Sequence, residues 1–148
     1  MGDQNHLREL RIRVSGVYNP THTSFYMKSY NSKTKRKVVF AAMSRNTFYL
    51  REHIVKFVLE KGYTPTCAFM MFSYFLLDTV ARDALIEANN DLIKRSDELW
   101  VFGKVSDGVR EEIKLAEALG LPIRYFKVDR TGLVFKPAKV TQIEFEHD

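Results

Sequence analysis

The sequence predicts an α/β domain on a flavodoxin/Rossmann-like parallel sheet flanked by helices, with small β extensions at both termini. Three observations predict it. Short continuous apolar runs such as Val38-Val39-Phe40-Ala41-Ala42 and Leu99-Trp100-Val101-Phe102 suit strands covered on both faces. Between such runs, apolar residues recur at helical spacing, as in Ile54, Val55, Val58 and Leu59. Strand-like and helix-like segments alternate along the chain, which favours parallel strands joined by right-handed crossovers.

The elements follow in order. Residues 1–36 read as an N-terminal β extension: Leu10, Ile12 and Val14 alternate with Arg11 and Arg13, Asn19-Pro20 marks a turn, and Phe25 to Lys28 a return strand. Residues 37–128 read as the α/β domain. Its first strand is Val38 to Ala42, and a helix follows from Phe48 until Gly62 closes it. Tyr63 to Cys67 is the second strand, and the aromatic stretch Phe69 to Phe75 comes next. A helix from Thr79 to Arg95 carries Val80, Leu85, Ile86, Leu92 and Ile93 on one side. Asp97 to Gly103 is the third strand, the helix starting at Ser106 to Gly108 runs to Leu119, and Pro122 to Val128 is the fourth. Residues 129–148 read as a C-terminal β hairpin tail, with Leu133 to Phe135 and the alternating Val140 to Phe145 as its strands, available to pair with the N-terminal strand.

Bulk properties exclude several classes. A chain of 148 residues with 45% hydrophobic content has room for one packed core. Its longest apolar stretch, Cys67 to Leu77, is too short to cross a bilayer, which argues against a membrane partner. No basic-then-apolar leader is visible, and His6 stands where a myristoylation signal needs Ser or Thr. The single cysteine, Cys67, cannot close an internal disulfide and lacks partners for a zinc cluster. A cytoplasmic location is the expectation, with no metal and no cofactor. The net charge of +5 is partly local, in Lys33, Lys35, Arg36 and Lys37. Such a run attracts phosphate, but no nucleic-acid-binding motif accompanies it, and a solvated segment is the plainer account.

Ligands of open parallel sheets bind beyond the carboxyl ends of the strands. Three segments converge there: Ala42-Met43-Ser44-Arg45-Asn46, the aromatic stretch, and Gly103 to Gly108. Ser106 or Asp107 can cap the following helix, and Gly108 permits close approach to its backbone. A helix start also offers free N–H groups to a phosphate or sugar oxygen. Glu112 borders the buried side of that helix, where a carboxylate can act as nucleophile or proton carrier.

The stretch Ser106-Asp107-Gly108-Val109-Arg110-Glu111-Glu112-Ile113-Lys114-Leu115-Ala116, followed by Leu119-Gly120-Leu121-Pro122-Ile123, resembles the signature of the nucleoside 2-deoxyribosyltransferase superfamily, which includes the deoxynucleoside 5′-monophosphate N-glycosidases. The resemblance covers about residues 37–128. It implies Glu112 as the catalytic glutamate, four positions before Ala116, with Ser106 where the monophosphate hydrolases hold phosphate. Ala88-Asn89-Asn90-Asp91-Leu92 with Ser96-Asp97 is similar to the helix before the third strand, and places Asn89 where catalytic members carry an aspartate that orients the glutamate. Ser44 and Arg45 fall in the first loop, Arg45 matching an arginine of the monophosphate hydrolases; the tyrosine that some of them carry in the first strand is absent. The resemblance also implies a homo-oligomer whose subunits complete one another's sites.

The expected site is therefore Glu112 as nucleophile and Asn89 as its orienter. Ser106, Asp107, Gly108, Arg45, Ser44 and Ala42 surround the ligand, with Phe72 and Tyr74 (and Phe69) available to stack on a base. The expected partner is a small-molecule nucleoside or nucleotide. Three functions stay open at this stage. One is cleavage of an N-glycosidic bond by hydrolysis or transfer; another is nucleotide binding without catalysis, which the amide at Asn89 favours; the third is nucleic-acid binding through residues 33–37.

Overall fold

A computed structural model describes residues 35–131 and 133–146, side chains of Tyr74 and Phe75 excepted. The expected strands around Leu10 and Phe25, the whole of residues 1–34 including Lys33, and the Tyr74 side chain lie outside the described residues. Residues 36–148 form one compact unit.

Five strands make one sheet: β1 (Val38–Met43), β2 (Thr64–Thr66), β3 (Glu98–Phe102), β4 (Ile123–Asp129) and β5 (Val134–Ala138), in the order β2-β1-β3-β4-β5. The first four run parallel, and β5 is antiparallel to β4. The expected α/β architecture is thus the observed one. The helices are α1 (Arg51–Glu60), the short α2 (Ala68–Met71) and α3 (Tyr74–Thr79), α4 (Arg82–Lys94) and α5 (Asp107–Ala118).

The apolar runs in β1 and β3 are explained by coverage on both faces. Odd residues of β1 (Val39, Ala41, Met43) join Trp100 and Phe102 in a core with Leu50, Ile54 and Val58 from the α1 side. Even residues (Phe40, Ala42) join Leu99 and Val101 in a second core with Ile93 of α4 and Val109 and Ala116 of α5. Glu98 is the exception inside β3, only 2% exposed. Its carboxylate accepts from Trp100 Nε1 at 2.8 Å and pairs with Arg124 at 3.1 Å and Lys37 at 3.5 Å. One cation of the basic run thus serves the fold.

Several elements differ from expectation. The aromatic stretch becomes two short helices, and α4 begins at Arg82, so that Val80 and Ile86 lie exposed. Leu119 caps the end of α5 and is also exposed. The tail is not a hairpin of its own. Val134–Ala138 extends the sheet beside β4, where Pro137 is tolerated because β5 is an edge strand. Val140–Gln142 form a 3-10 turn, after which Ile143 packs against the α4–α5 core. The chain then crosses the carboxyl end of β3 through a lone parallel bridge between Val105 and Phe145. The burial gained by Ile143 replaces the alternation that suggested a strand.

Among the described residues, no helix is long and apolar enough to cross a membrane.

Candidate active site

Helix α5 starts where the sequence places it. Ser106 is extended, and its hydroxyl oxygen accepts from the Val109 N–H at 3.4 Å, so it is the cap. Val109 and Ala116 turn inward against the sheet. That rotation sets Glu112 toward α4, the neighbouring helix on the same face.

Here the two expected catalytic residues meet. Asn89 Nδ2 donates to Glu112 Oε1 at 3.0 Å. The contact joins residues 23 positions apart on different helices, so local sequence does not enforce it. The Glu112 stem keeps some exposed surface, while its carboxyl lies deep among protein atoms. Removal from water pushes its pKa up to about 7, and the Asn89 hydrogen bond acts in the opposite direction. A carboxyl group so placed titrates at neutral pH, where acid–base and nucleophilic chemistry operate. Because Asn89 holds Oε1, Oε2 is the oxygen left for a ligand.

Cys67 is buried in the core on the α1 side, near enough to feel the Glu112 charge. Burial raises its thiol pKa, backbone hydrogen bonds from Met70 and Phe69 lower it, and the Glu112 charge raises it again. A thiol held neutral in this way is a small apolar neighbour rather than a nucleophile.

The other expected residues divide. Gly108 lies in the first turn of α5, where a Cβ would meet only Ser106 Oγ, at 4.0 Å, so the space beside it is open. Asp107 is exposed and lies 3.9 Å from Arg110. Arg45 is exposed and, among the described residues, makes no ion pair or side-chain hydrogen bond. Ala42 is a core residue beside Phe40. Ser44 is 1% exposed, and its hydroxyl donates to Glu146 Oε1 at 2.5 Å, so it faces the C-terminal segment rather than a ligand. Phe69 packs edge-on against Phe48 at 5.2 Å and is occupied in the core, whereas Phe72 remains half-buried beside exposed Met70 and Met71. Sequence reasoning missed Glu146, which carries no local signal because only the folded tail brings it to β1. Among the described residues, no group of three or more His, Cys, Asp or Glu side chains is placed to hold a metal.

A family model described as "Domain of unknown function (DUF7768)" matches residues 34–126, more than half of the chain. The chain belongs to the DUF7768 family. No curated protein matches the sequence. The span shared with the DUF7768 family contains Asn89, Ser106 and Glu112 and ends within β4, so the segment bearing Glu146 lies beyond it.

Gly108 gives a clean test of where a ligand sits on this DUF7768 chain. Its φ is not left-handed and its surroundings are open, so Gly108→Ala is expected to leave stability unchanged or raise it by up to about 1 kcal/mol. A ligand that approaches the α5 backbone closely would bind about tenfold more weakly, since an added methyl removes close contacts and a hydrogen bond. Melting temperature and substrate KM measured together check this; an unchanged KM would place the ligand elsewhere.

Proposed function

We propose that this protein cleaves the N-glycosidic bond of a nucleoside or nucleotide, by hydrolysis or by transfer, with Glu112 as nucleophile. The observation that carries the reading is the Asn89–Glu112 hydrogen bond, which orients a dehydrated carboxyl beside the open, capped start of α5. The similarity of Ser106 to Ala116 to the deoxyribosyltransferase signature supports the same assignment.

The chemistry follows from those groups. Ionised Glu112 Oε2 attacks the anomeric carbon, a C–O bond forms, and the C–N bond breaks with its electron pair passing to the base, which takes a proton from solvent. Water, or a second base, then attacks the same carbon and releases the carboxylate. Asn89 keeps Oε1 engaged throughout. The unpaired N–H groups of the α5 first turn, with Ser106, hold an oxygen of the sugar or its phosphate.

A second reading, nucleotide binding without turnover, is favoured by one specific feature. A carboxyl with a pKa of about 7 is only half ionised at neutral pH, and the amide of Asn89 lends it no negative charge. One experiment separates the two. Wild type and Glu112→Ala are incubated with nucleosides, 2′-deoxynucleosides and their 5′-monophosphates, and free base is followed by chromatography. Release by wild type alone is expected. Equal release by both proteins would remove Glu112 from the chemistry, and an intact ligand that stays bound would select the binding reading.

A further inference from the structure

A groove of about 810 Å3 lies at the carboxyl ends of β1, β3 and β4 and is not lined by Glu112 or Asn89. Its volume is in the range of small-molecule sites. Its place in the fold is the stronger argument. The strand order β2-β1-β3-β4-β5 reverses direction between β1 and β3, and open α/β sheets bind ligands at that switch point. Asn46 and Thr47, just after β1, and Gly103 and Lys104, just after β3, line the groove.

The lining has a tightly packed turn and a charged rim. Gly103 has φ 79°, and a Cβ there would meet Thr47 Oγ1 at 3.1 Å and Val128 Cγ2 at 3.5 Å, so only glycine fits this turn. Lys104, Lys127 and Arg130 stand around it, with Glu144 and Glu146 from the C-terminal segment. These charges are not all matched. Glu144 is held by Lys104 at 2.9 Å, and Glu146 accepts from Ser44. Among the described residues, Lys127 and Arg130 have no carboxylate within ion-pair distance. Arg130 instead lies over the Tyr49 ring, 5.9 Å from its centre. Two cations of the lining thus make no direct ion pair, although the Lys127 charge also acts on Glu144.

We propose that this groove is a second ligand site, for a small organic phosphate. The phosphate sits between Lys127 and Arg130, and a hydroxyl of the same molecule donates to Glu146. The site is separate from the Glu112 pair and does not depend on the glycosidic reading.

Isothermal titration with glucose 6-phosphate, inorganic phosphate and glucose tests it on the full chain. Saturable binding of glucose 6-phosphate is expected, weaker binding of inorganic phosphate, and none of glucose. Lys127→Glu and Arg130→Glu should each weaken the sugar phosphate at least tenfold, and added salt should weaken it in wild type. Glu112→Gln should leave it unchanged. Lys127→Gln, with an unaltered melting temperature, guards against loss of the fold and should give an intermediate loss. Three results would overturn the proposal: no saturable binding of the sugar phosphate, binding indifferent to both charge reversals, or binding lost in Glu112→Gln, which would seat the anion at α5.

Discussion

Glu112→Gln is expected to lower base release at least about a thousandfold while making the folded protein more stable at alkaline pH. The rate falls because an amide oxygen cannot displace the base and form the glycosyl ester. The stability gain comes from the same burial that tunes the group. Glu112 has its pKa raised from 4.5 to about 7 in the fold. The folded state therefore binds more protons than the unfolded chain between those values, and stability falls as pH rises through that window. Below about pH 4.5 both states carry the proton and burial of the carboxyl costs little; above about 7 both are ionised and the cost is complete. At 1.36 kcal/mol per pH unit the full cost is about 3 kcal/mol. Glutamine keeps the oxygen that accepts from Asn89 and carries no charge, so it should recover most of that amount at pH 8 and almost none at pH 4. Urea midpoints at the two pH values measure it. A variant equally destabilised at both would show that the carboxyl is favourably placed and that dehydration is not what raises its pKa.

A group that weakens the fold for the sake of its ionisation is commonest at sites of chemistry, though structural networks also perturb pKa values. The comparison with Glu98 makes the distinction concrete. Glu98 is the more buried by exposed area, yet it is surrounded by an indole N–H, Arg124 and Lys37, and three donors account for its burial. Glu112 has one neutral donor. The first is a matched structural carboxylate, and the second is left poised.

Much of this was legible because two kinds of signal are local. Double-sided burial writes continuous apolar runs, so Val38 to Ala42 and Leu99 to Phe102 announced the central strands. Helix capping writes a short polar motif, so Ser106-Asp107-Gly108 announced the start of α5, and the structure makes Ser106 the cap. Glu112 and Asn89 were legible by a different route, the resemblance of their two helices to a known signature, and α4 and α5 pack closely enough for the pair to meet. Other features depend on distant contacts that leave no local trace. Val140 to Gln142 alternate like a strand but turn, because Ile143 finds its burial against a core built from residues far earlier. Ser44 looks like an open loop hydroxyl until Glu146, 102 positions later, closes over it. The groove beside Gly103 was legible in part, since Asn46, Gly103 and Lys104 fall in the loops expected at the ligand end of the sheet, but the contributions of Lys127, Arg130 and the C-terminal segment leave no local trace.

Asn89→Leu is expected to move the pH dependence of base release upward and to cut the rate at pH 7 about a hundredfold. If ionised Glu112 is the nucleophile, activity in wild type rises as pH rises through about 7. The Asn89 amide favours the ionised form, and a hydrogen bond to a charged group is worth about 1.5–3 kcal/mol. Its loss should raise the carboxyl pKa by about one to two further units. Leucine preserves bulk on the face of α4 that meets α5, so the helices should stay packed. The rate should then be depressed most at pH 6 to 7 and recover in part toward pH 9, with the remaining loss reflecting freedom of the carboxyl to rotate. A loss independent of pH would make Asn89 a packing residue alone. A profile displaced to lower pH would contradict the sign of the hydrogen bond, and with it the assignment of Glu112 as a carboxylate that must ionise to act.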